Sequence, residues 1–526
     1  RDQWPDLIFS LPELQYPDKM NCVSDLLDTW VEKGHGDAPA LFDHTGMLTY
    51  KQLQERVDQV AHVLTRDMGL VPGNRVLLRS ANNMMLAVCW LAVAKAGLIV
   101  VATMALLREK ELVDVIEKAQ IQAALCDKSL DAELIEAQQR CPILKHIVYF
   151  NDASPEGLET RMSAYHEPFE AVKTAAEDTA FIAFTSGSTG KPKAAMHFHR
   201  DVIAACDCFP KYTMHMQADD VCIGTPPLAF TYGLGGELLF PLRVGASTVL
   251  LEKPSPDNLL QAIQKYRATI TWASPLTYRQ MSGMIEKYDI SSLRQCVSAG
   301  ESLPVSTRTM WRNATGIDIV DGIGSTEMLH IFIASAGAEI RPGATGKAVP
   351  GYEACILDPD GNQLPAGTVG RLGVRGPTGC RYLDDERQKS YVQHGWNMTG
   401  DAYVRDEDGY FWFQARTDDM IVTAGYNVGG PEVESAILEH PAVAECAVIG
   451  APHPERGIII KAFVVLKPGY VGNDEMAHTL QDFVKQHIAP YKYPREIEFC
   501  DALPRAGTGK IQRYRLRQQE QGRVNA

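Results

Sequence analysis

Twelve cysteines are scattered through 526 residues, and no two of them form a CxxC pair. Such spacing excludes a disulfide frame and points to reduced thiols in a cytoplasmic protein. The one metal-like grouping, His197, His199, Cys206 and Cys208, offers residues two apart, which diverge on a helix, so no metal is expected there. Positive charge is in deficit: 51 Lys and Arg against 65 Asp and Glu leave a net charge of −14. That balance excludes a general binder of nucleic acid or of anionic membrane. Long apolar runs are lacking too. The longest, Met84–Leu107, is broken by Lys95 and Gly97 and becomes β-branched at Ile99-Val100-Val101, so a buried helix followed by a buried strand is expected and not a membrane span. No leader-like segment is visible; the chain begins at Arg1 without methionine, and the reading leaves a removed leader open. Internal repeats and low-complexity segments are missing as well.

What is present concentrates at Ala183–Lys193, Ala-Phe-Thr-Ser-Gly-Ser-Thr-Gly-Lys-Pro-Lys, directly after a β-like run, Thr179–Phe184. Glycines let successive backbone N–H groups turn toward one point, hydroxyls add donors and lysines add charge, so the composition suits a concave cradle for phosphates. It is not a Walker A loop, which needs four residues between its glycines and Ser or Thr after the lysine; here two residues separate Gly187 from Gly190, and Pro192 follows Lys191. The competing reading is a bland Ser/Gly-rich turn.

At 58.0 kDa the chain exceeds one compact core, and size alone suggests about two to four domains. The helical pattern opened by Leu48-Thr49-Tyr50 places Leu53, Val57, Val60, Ala61 and Leu64 on one face and closes at Gly69. Strand Arg75–Arg79, the helix ending at Gly97, strand Leu98–Thr103, helix Arg108–Gln120 and strand Gln122–Asp127 then alternate, which predicts parallel sheet covered by helices. The alternation resumes with Val221–Thr225, Ser247–Glu252, Asp257–Tyr266, Thr269–Ala273 and Leu293–Ser298. From about Gly343 short strands with Gly/Pro turns (Tyr352–Leu357, Gly370–Arg375, Tyr410–Ala415) predict a small β subdomain over 343–417. Beyond Arg416 a helix entered through Pro431, strands Ala444–Gly450 and Ile459–Lys467, and a helix near Asp474–Ile488 predict a compact α+β unit. The expected fold class is thus α/β plus α+β, with a large N-terminal domain over 1–417 and a small C-terminal domain over 418–526. Arg505, Lys510, Arg513, Arg515 and Arg517 make the clearest positive island, with a solvated basic helix face as the bland alternative.

Thr185–Lys193 resembles the phosphate loop of the adenylate-forming enzymes, the family of acyl-CoA and aryl-CoA synthetases, firefly luciferase and peptide-synthetase adenylation domains. The resemblance implies that Thr185, Ser186, Gly187, Ser188, Thr189, Gly190 and Lys191 hold the phosphates of ATP while a carboxylate attacks the α-phosphorus. An acyl-adenylate and pyrophosphate would result. Such an attack needs a divalent ion, an adenine platform, a grip on ribose and a cation near the developing charge. Ser298–Pro304 resembles the adenine-side loop, with Gly300, Glu301 and Ser302 on ATP. The segment Asp321, Gly322, Ile323, Gly324, Ser325, Thr326, Glu327 resembles the one lying along adenine and the acyl group. By that likeness Thr326 contacts the α-phosphate and Glu327 holds Mg²⁺, a role suited to a hard oxygen ligand. Thr399-Gly400-Asp401 matches the ribose motif, Asp401 accepting from the hydroxyls, and Arg416-Thr417-Asp418-Asp419 matches the hinge, with Arg416 on ribose or phosphate and Asp418 as pivot. In Pro504–Ile511 a lysine between flexible residues can reach into a cleft and withdraw, and the resemblance makes Lys510 the adenylation lysine. It further implies rotation of a mobile C-terminal domain, so that the thiol of coenzyme A enters past Gly425.

Two segments bear on the acid. Phe230–Gly235 and Ser325–Phe332 resemble benzoate-type aryl-CoA ligases, and the run from Gly425 to Glu434 resembles the 2-aminobenzoate branch. The likeness implies a pocket of Phe230, Thr231, Tyr232, Gly324, His330 and Ile331; aromatic walls with glycines suit a flat ring, and ordinary core packing is the alternative. The chain departs from the wider family at Phe230, where a histidine is usual, at Pro431, one place late, and at Val422, where lysine is common. The expectation is an AMP-forming aryl-CoA ligase, monomer or homodimer, with no nucleic-acid or membrane partner. Competing readings are an adenylation protein loading a carrier protein, a medium-chain acyl-CoA synthetase, or a non-catalytic nucleotide-binding scaffold. The co-occurrence of Lys191, Glu327, Asp401 and Lys510 argues against the last.

Overall fold

Strand and helix periodicity is realised as two large sheets packed through one helix. The computed structural model describes residues 3–185, 192–417, 419–423, 426–453, 457–488, 492–506 and 509–524. One sheet has six strands, in the order His146–Phe150, Ala123–Asp127, Arg75–Arg79, Ile99–Thr103, Thr179–Thr185, Lys193–Phe198. Its first five strands run parallel and the last is antiparallel. The other has nine strands, with Ile319–Gly324, Gln295–Ser298, Ile270–Ala273, Val221–Gly224, Ser247–Val249 and Pro39–Asp43 forming its parallel centre.

The helix between them is Met84–Lys95, all of whose residues are buried. Its sequence is apolar on every face, as a helix sandwiched between sheets must be. Asn83 caps it by accepting from the Leu86 N–H. Lys95, the one charge in the run, lies between Asp28 (2.8 Å) and Asp58 (2.6 Å), so the charge is buried only with partners. The strand Ile99–Thr103 follows it. Among the described residues no helix is long and apolar enough to cross a membrane. Thr49 forms the capping box that starts Tyr50–His62, and Leu53, Val57, Val60, Ala61 and Leu64 all face the core. The twelve cysteines are free thiols, eleven of them buried.

Strands Glu353–Leu357, Val369–Arg375, Trp396–Arg405, Val392–Gln393 and Phe411–Arg416 form a separate antiparallel sheet. After it the small C-terminal domain pairs Val443–His453, Gly457–Leu466 and Glu496–Phe499, with helices Gly430–Leu438, Asp474–His487 and Arg513–Val524 around them. It docks on the large domain partly through Arg279, which donates to the carbonyl of Leu438 (3.1 Å) at the end of the helix Gly430–Leu438 and to that of Val443 (3.4 Å) at the start of the next strand. A cation there complements the carbonyl end of the helix dipole.

One expectation is corrected. The basic tail is not a free positive island, because Arg513 forks onto Glu434, Arg505 pairs with Glu445 at 2.5 Å, and Arg517 pairs with Asp419. Those arginines fasten the tail to its own domain, since a carboxylate within contact distance neutralises each of them locally.

Candidate active site

The strand Lys193–Phe198 sends two side chains to the segment that follows strand Ile319–Gly324. His197, fully buried and stacked on Phe181 at 4.9 Å, places Nε2 2.7 Å from the carbonyl of Thr326. Lys193 donates to the Tyr382 hydroxyl at 3.1 Å and stands 3.8 Å from Oε1 of Glu327. Tyr382 in turn donates to that Oε1 at 2.5 Å. Glu327 is buried, and all of these contacts use one of its oxygens. Ser325 Oγ accepts from the Met328 N–H and lies 3.2 Å from the Tyr391 hydroxyl. Thr185 closes the neighbouring strand in register with Lys193. Ser186, Gly187, Ser188, Thr189, Gly190 and Lys191 lie outside the described residues, as do Asp418 and Gly425.

Parallel pairing aligns Ser298 with Asp321, so Gly300-Glu301-Ser302, which follow one strand, begin beside Gly322-Ile323-Gly324, which stay in the sheet and pair antiparallel with Ile331–Ala334. Burial raises the Asp321 carboxyl to about 7, with the Arg308 guanidinium opposing. Asp401 and Arg416 are cross-strand partners; Arg416 Nη1 donates to Asp401 Oδ1 and to the Thr399 carbonyl, each at 3.0 Å. The ribose motif and the start of the expected hinge are therefore one constellation. Lys510 reaches the Gly300 loop from the C-terminal domain. A Cβ added to Gly300 would stand 3.8 Å from Cε of Lys510, so the tail and the Gly300 loop meet across more than two hundred residues of chain.

Of the residues expected to line the acid pocket, Tyr232, Gly324 and Ile331 lie beside His330. Its Nε2 lies 3.1 Å from the carbonyl of Tyr232, and rings of Phe209, Tyr232, Phe240 and Trp272 surround it at centroid distances of 6.1, 5.7, 4.5 and 5.9 Å. Burial drives its pKa down to about 3, so the imidazole is neutral. A carbonyl only accepts, so Nε2 carries the proton and Nδ1 is an acceptor. Nδ1 has no partner among the described residues. Glycine permits this packing: a Cβ on Gly235 would sit 2.4 Å from the His330 ring, and one on Gly236 2.5 Å from that of Trp272. The Tyr232 hydroxyl spans to the carbonyls of Ala273 and Val297. Ile331 is buried against Gly322 and pairs with Gly324. Thr231 is buried, and Phe230, half-buried, caps the short helix Thr231–Leu234.

Sequence reasoning did not single out Lys193, Tyr382 and Tyr391 around Glu327, nor Phe209, Phe240 and Trp272 around His330. It also missed Glu237, fully buried in the turn Gly235–Leu239 that follows Thr231–Leu234. Neither of its oxygens has a hydrogen bond of normal geometry among the described residues, and burial pushes its carboxyl well above the usual range, with the Asn82 side chain opposing. A carboxylate inside an apolar run, Gly-Gly-Glu-Leu-Leu-Phe, was the one signal available. A cavity of about 480 Å³ ringed by Asp43, Asp127, Glu159 and Glu252 opens elsewhere, and none of the motif residues lines it.

For a magnesium ion, Glu327 fits as a single hard ligand: Tyr382 fixes one oxygen. Among the described residues no three His, Cys, Asp or Glu side chains gather to hold an ion. Mg²⁺ is commonly held by one or two carboxylates plus substrate phosphates and water, which matches so sparse a donor set.

Comparison with known proteins gives consistent results. Residues 27–381 match the AMP-binding enzyme family and residues 432–510 match the AMP-binding enzyme C-terminal domain. The chain is 35% identical over 512 residues to a benzoate–CoA ligase of Thauera aromatica, covering 96% of this chain and 97% of that protein. It is 31% identical over 532 residues to the mitochondrial acyl-coenzyme A synthetase ACSM3 of Homo sapiens, covering 97% and 91%. Among solved structures, the anthranilate CoA ligase AuaEII in complex with anthranoyl-AMP superposes with a TM-score of 0.93 at 33% identity, over 98% of this chain and 100% of that one.

Proposed function

Because this chain belongs to the AMP-binding enzyme family and is an acid–thiol ligase of that family, we propose that its acid is aromatic, of the benzoate or 2-aminobenzoate type. The acid is joined to coenzyme A through an aryl-adenylate. In the first half-reaction a carboxylate oxygen of the acid bonds to the α-phosphorus of ATP, and the bond to the β-phosphate oxygen breaks to release pyrophosphate. In the second, the thiol sulfur of coenzyme A attacks the aryl carbonyl, loses its proton, and AMP leaves.

The observation that carries the aryl reading is the nest around His330. It is neutral and ringed by aromatic side chains, and Gly235 and Gly236 let the His330 and Trp272 rings pack close against the backbone. Phe230, Thr231, Tyr232, Gly324 and Ile331 complete the pocket. An acceptor at Nδ1 suits a ring substituent that donates, such as an amino or hydroxyl group. Asp401 and Arg416 take the ribose, with Asp321, the loop beginning at Gly300 and the strand end Gly322-Ile323-Gly324 on adenine. Ser186 to Lys191 take the phosphates. Thr326 meets the α-phosphate, and Lys510 brings its ammonium to the charge that develops there, where a preorganised cation is worth most. Glu327 would hold Mg²⁺, which when bound neutralises phosphate charge. The residues from Asp418 onward turn as a unit between the half-reactions, admitting the thiol past Gly425, and the enzyme works in the cytoplasm as a monomer or homodimer.

The test is a panel of benzoate, 2-aminobenzoate, hydroxybenzoates and a medium-chain fatty acid, each with ATP and coenzyme A and scored for pyrophosphate and thioester. Turnover is expected with the aryl acids. Preference for the fatty acid over every one of them would overturn the pocket assignment, and transfer to a carrier protein but not to coenzyme A would overturn the acceptor.

A further inference from the structure

Glu301 follows the glycine that faces Lys510, yet the contacts of its carboxylate run to the tail. Its Oε1 accepts the backbone N–H of Ile511 at 3.2 Å and stands 3.7 Å from Nη1 of Arg505. Arg505 and Ile511 are themselves paired across an antiparallel bridge. The Ala506 N–H donates to the Lys510 carbonyl and the Gln512 N–H to that of Pro504, both at 2.8 Å. Arg505 also donates to the Gly509 carbonyl and is pinned by Glu445. The described stretches 504–506 and 509–512 therefore pair as two arms, and one carboxylate of the large domain grips both of them.

We propose that Glu301 is a positioning residue for Lys510, acting on adenylate formation by fixing the two arms and not by holding the nucleotide with its side chain. Ile511 is covalently next to Lys510, so an amide clamped at 3.2 Å fixes the direction in which the lysine leaves the backbone. A hydrogen bond to an ionised acceptor is among the stronger ones available to a backbone N–H. The residue next to the clamp, Gly300, is the one that Lys510 overlies. The clamp and the residue that Lys510 overlies are thus adjacent in sequence, so a short lever joins the carboxylate to the lysine it positions. Releasing the clamp lets the ammonium wander, and a displacement of about 1 Å costs about 100-fold in a reaction that depends on placement.

This inference rests on the adenylate-forming role proposed for Lys510. Glu301→Ala is expected to lower kcat for pyrophosphate release by about 10- to 100-fold, with KM for ATP unchanged and thioester formation from supplied aryl-adenylate unaffected. Glu301→Gln keeps an oxygen for the Ile511 amide and should recover most of the rate. A raised KM for ATP at unchanged kcat would return the side chain to the nucleotide and overturn the proposal, as would equal losses in both half-reactions. Hydrogen exchange at the Ile511 amide reads the clamp without turnover: at least tenfold faster exchange in Glu301→Ala is expected, and unchanged exchange also overturns it. Faster exchange in a protein whose wild type makes no adenylate from any acid tested would instead indict the functional reading and leave the clamp standing.

Discussion

Glu327 and Glu237 are both buried carboxyl groups, and the regions around them are built on opposite principles. Around Glu327 a phenol donates to one oxygen and an ammonium stands near it, so the protein pre-arranges partners for negative charge. Around Glu237 neither oxygen has a hydrogen bond of normal geometry among the described residues, only Asn82 favours the charged form, and at Gly224 a Cβ would lie 2.6 Å from Oε1. Burying a lone charge is costly enough that the group takes up a proton instead. The neutral His330 shares that second region's character. The two regions thus differ in whether ionisation is supported: the one around Glu327, proposed for the phosphates, is organised for charge, and the one around Glu237 and His330, proposed for the acid, is not. A pocket of that kind suits the uncharged ring of an aromatic acid and leaves its carboxylate to the phosphate end.

The most severe way to break this division is at the phosphate end. Lys510→Ala should reduce adenylate formation by about 100- to 1,000-fold, as when a preorganised charge-stabilising group is removed, while thioester formation from supplied aryl-adenylate survives. Pyrophosphate release and thioester yield measured separately decide it, and parallel loss of both would assign the lysine to the fold. Glu327→Gln should follow with a loss of about 100-fold at low magnesium, partly recovered as magnesium is raised. Titration of pyrophosphate release against magnesium reads this, and a loss insensitive to magnesium would detach Glu327 from the ion.

The residues proposed for the phosphate end stand out in the sequence because they form contiguous motifs. Ser325, Thr326 and Glu327 are adjacent, and Lys510 sits in a short glycine-flanked run. Fold class was legible for a similar reason: a period of two or of 3.6 is a local property, and Met84–Lys95 followed by Ile99–Thr103 shows in composition alone. What surrounds the motifs was not legible. Tyr382 reaches Glu327 across 55 residues, and Phe209, Phe240 and Trp272 converge on His330 from three separate elements, so only the packed fold pairs them. The tail arginines misled because composition counts charges without showing partners, and Glu434 and Glu445 lie far from them in sequence.

The acid-pocket end is sharpened by a smaller effect. His330→Leu removes the acceptor at Nδ1 while keeping bulk inside the aromatic nest. If that acceptor selects a donating substituent, kcat/KM for 2-aminobenzoate relative to benzoate should fall by about tenfold, the worth of roughly one hydrogen bond. Equal losses for both acids would show that His330 only fills space.

The smallest effect is one of stability, and its sign follows from burial alone. The Glu237 carboxyl is raised above its ordinary 4.5 in the fold, so above that pH the native state keeps a proton that the unfolded chain has released. Stability from this group is fully present below pH 4.5 and is lost as pH climbs toward the folded value, at a rate on the order of 1 kcal/mol per pH unit. Asp321 adds the same sign between its ordinary 3.8 and about 7. Glu237→Gln has nearly the same shape and nothing to titrate, so it should melt like the wild type near pH 4.5 and above it by a few degrees at pH 8, a gap that widens steadily between. Thermal melts of the two chains across that range decide the matter. Superimposable profiles would mean that the carboxylate is ionised and satisfied inside the fold, and the contrast with Glu327 would collapse.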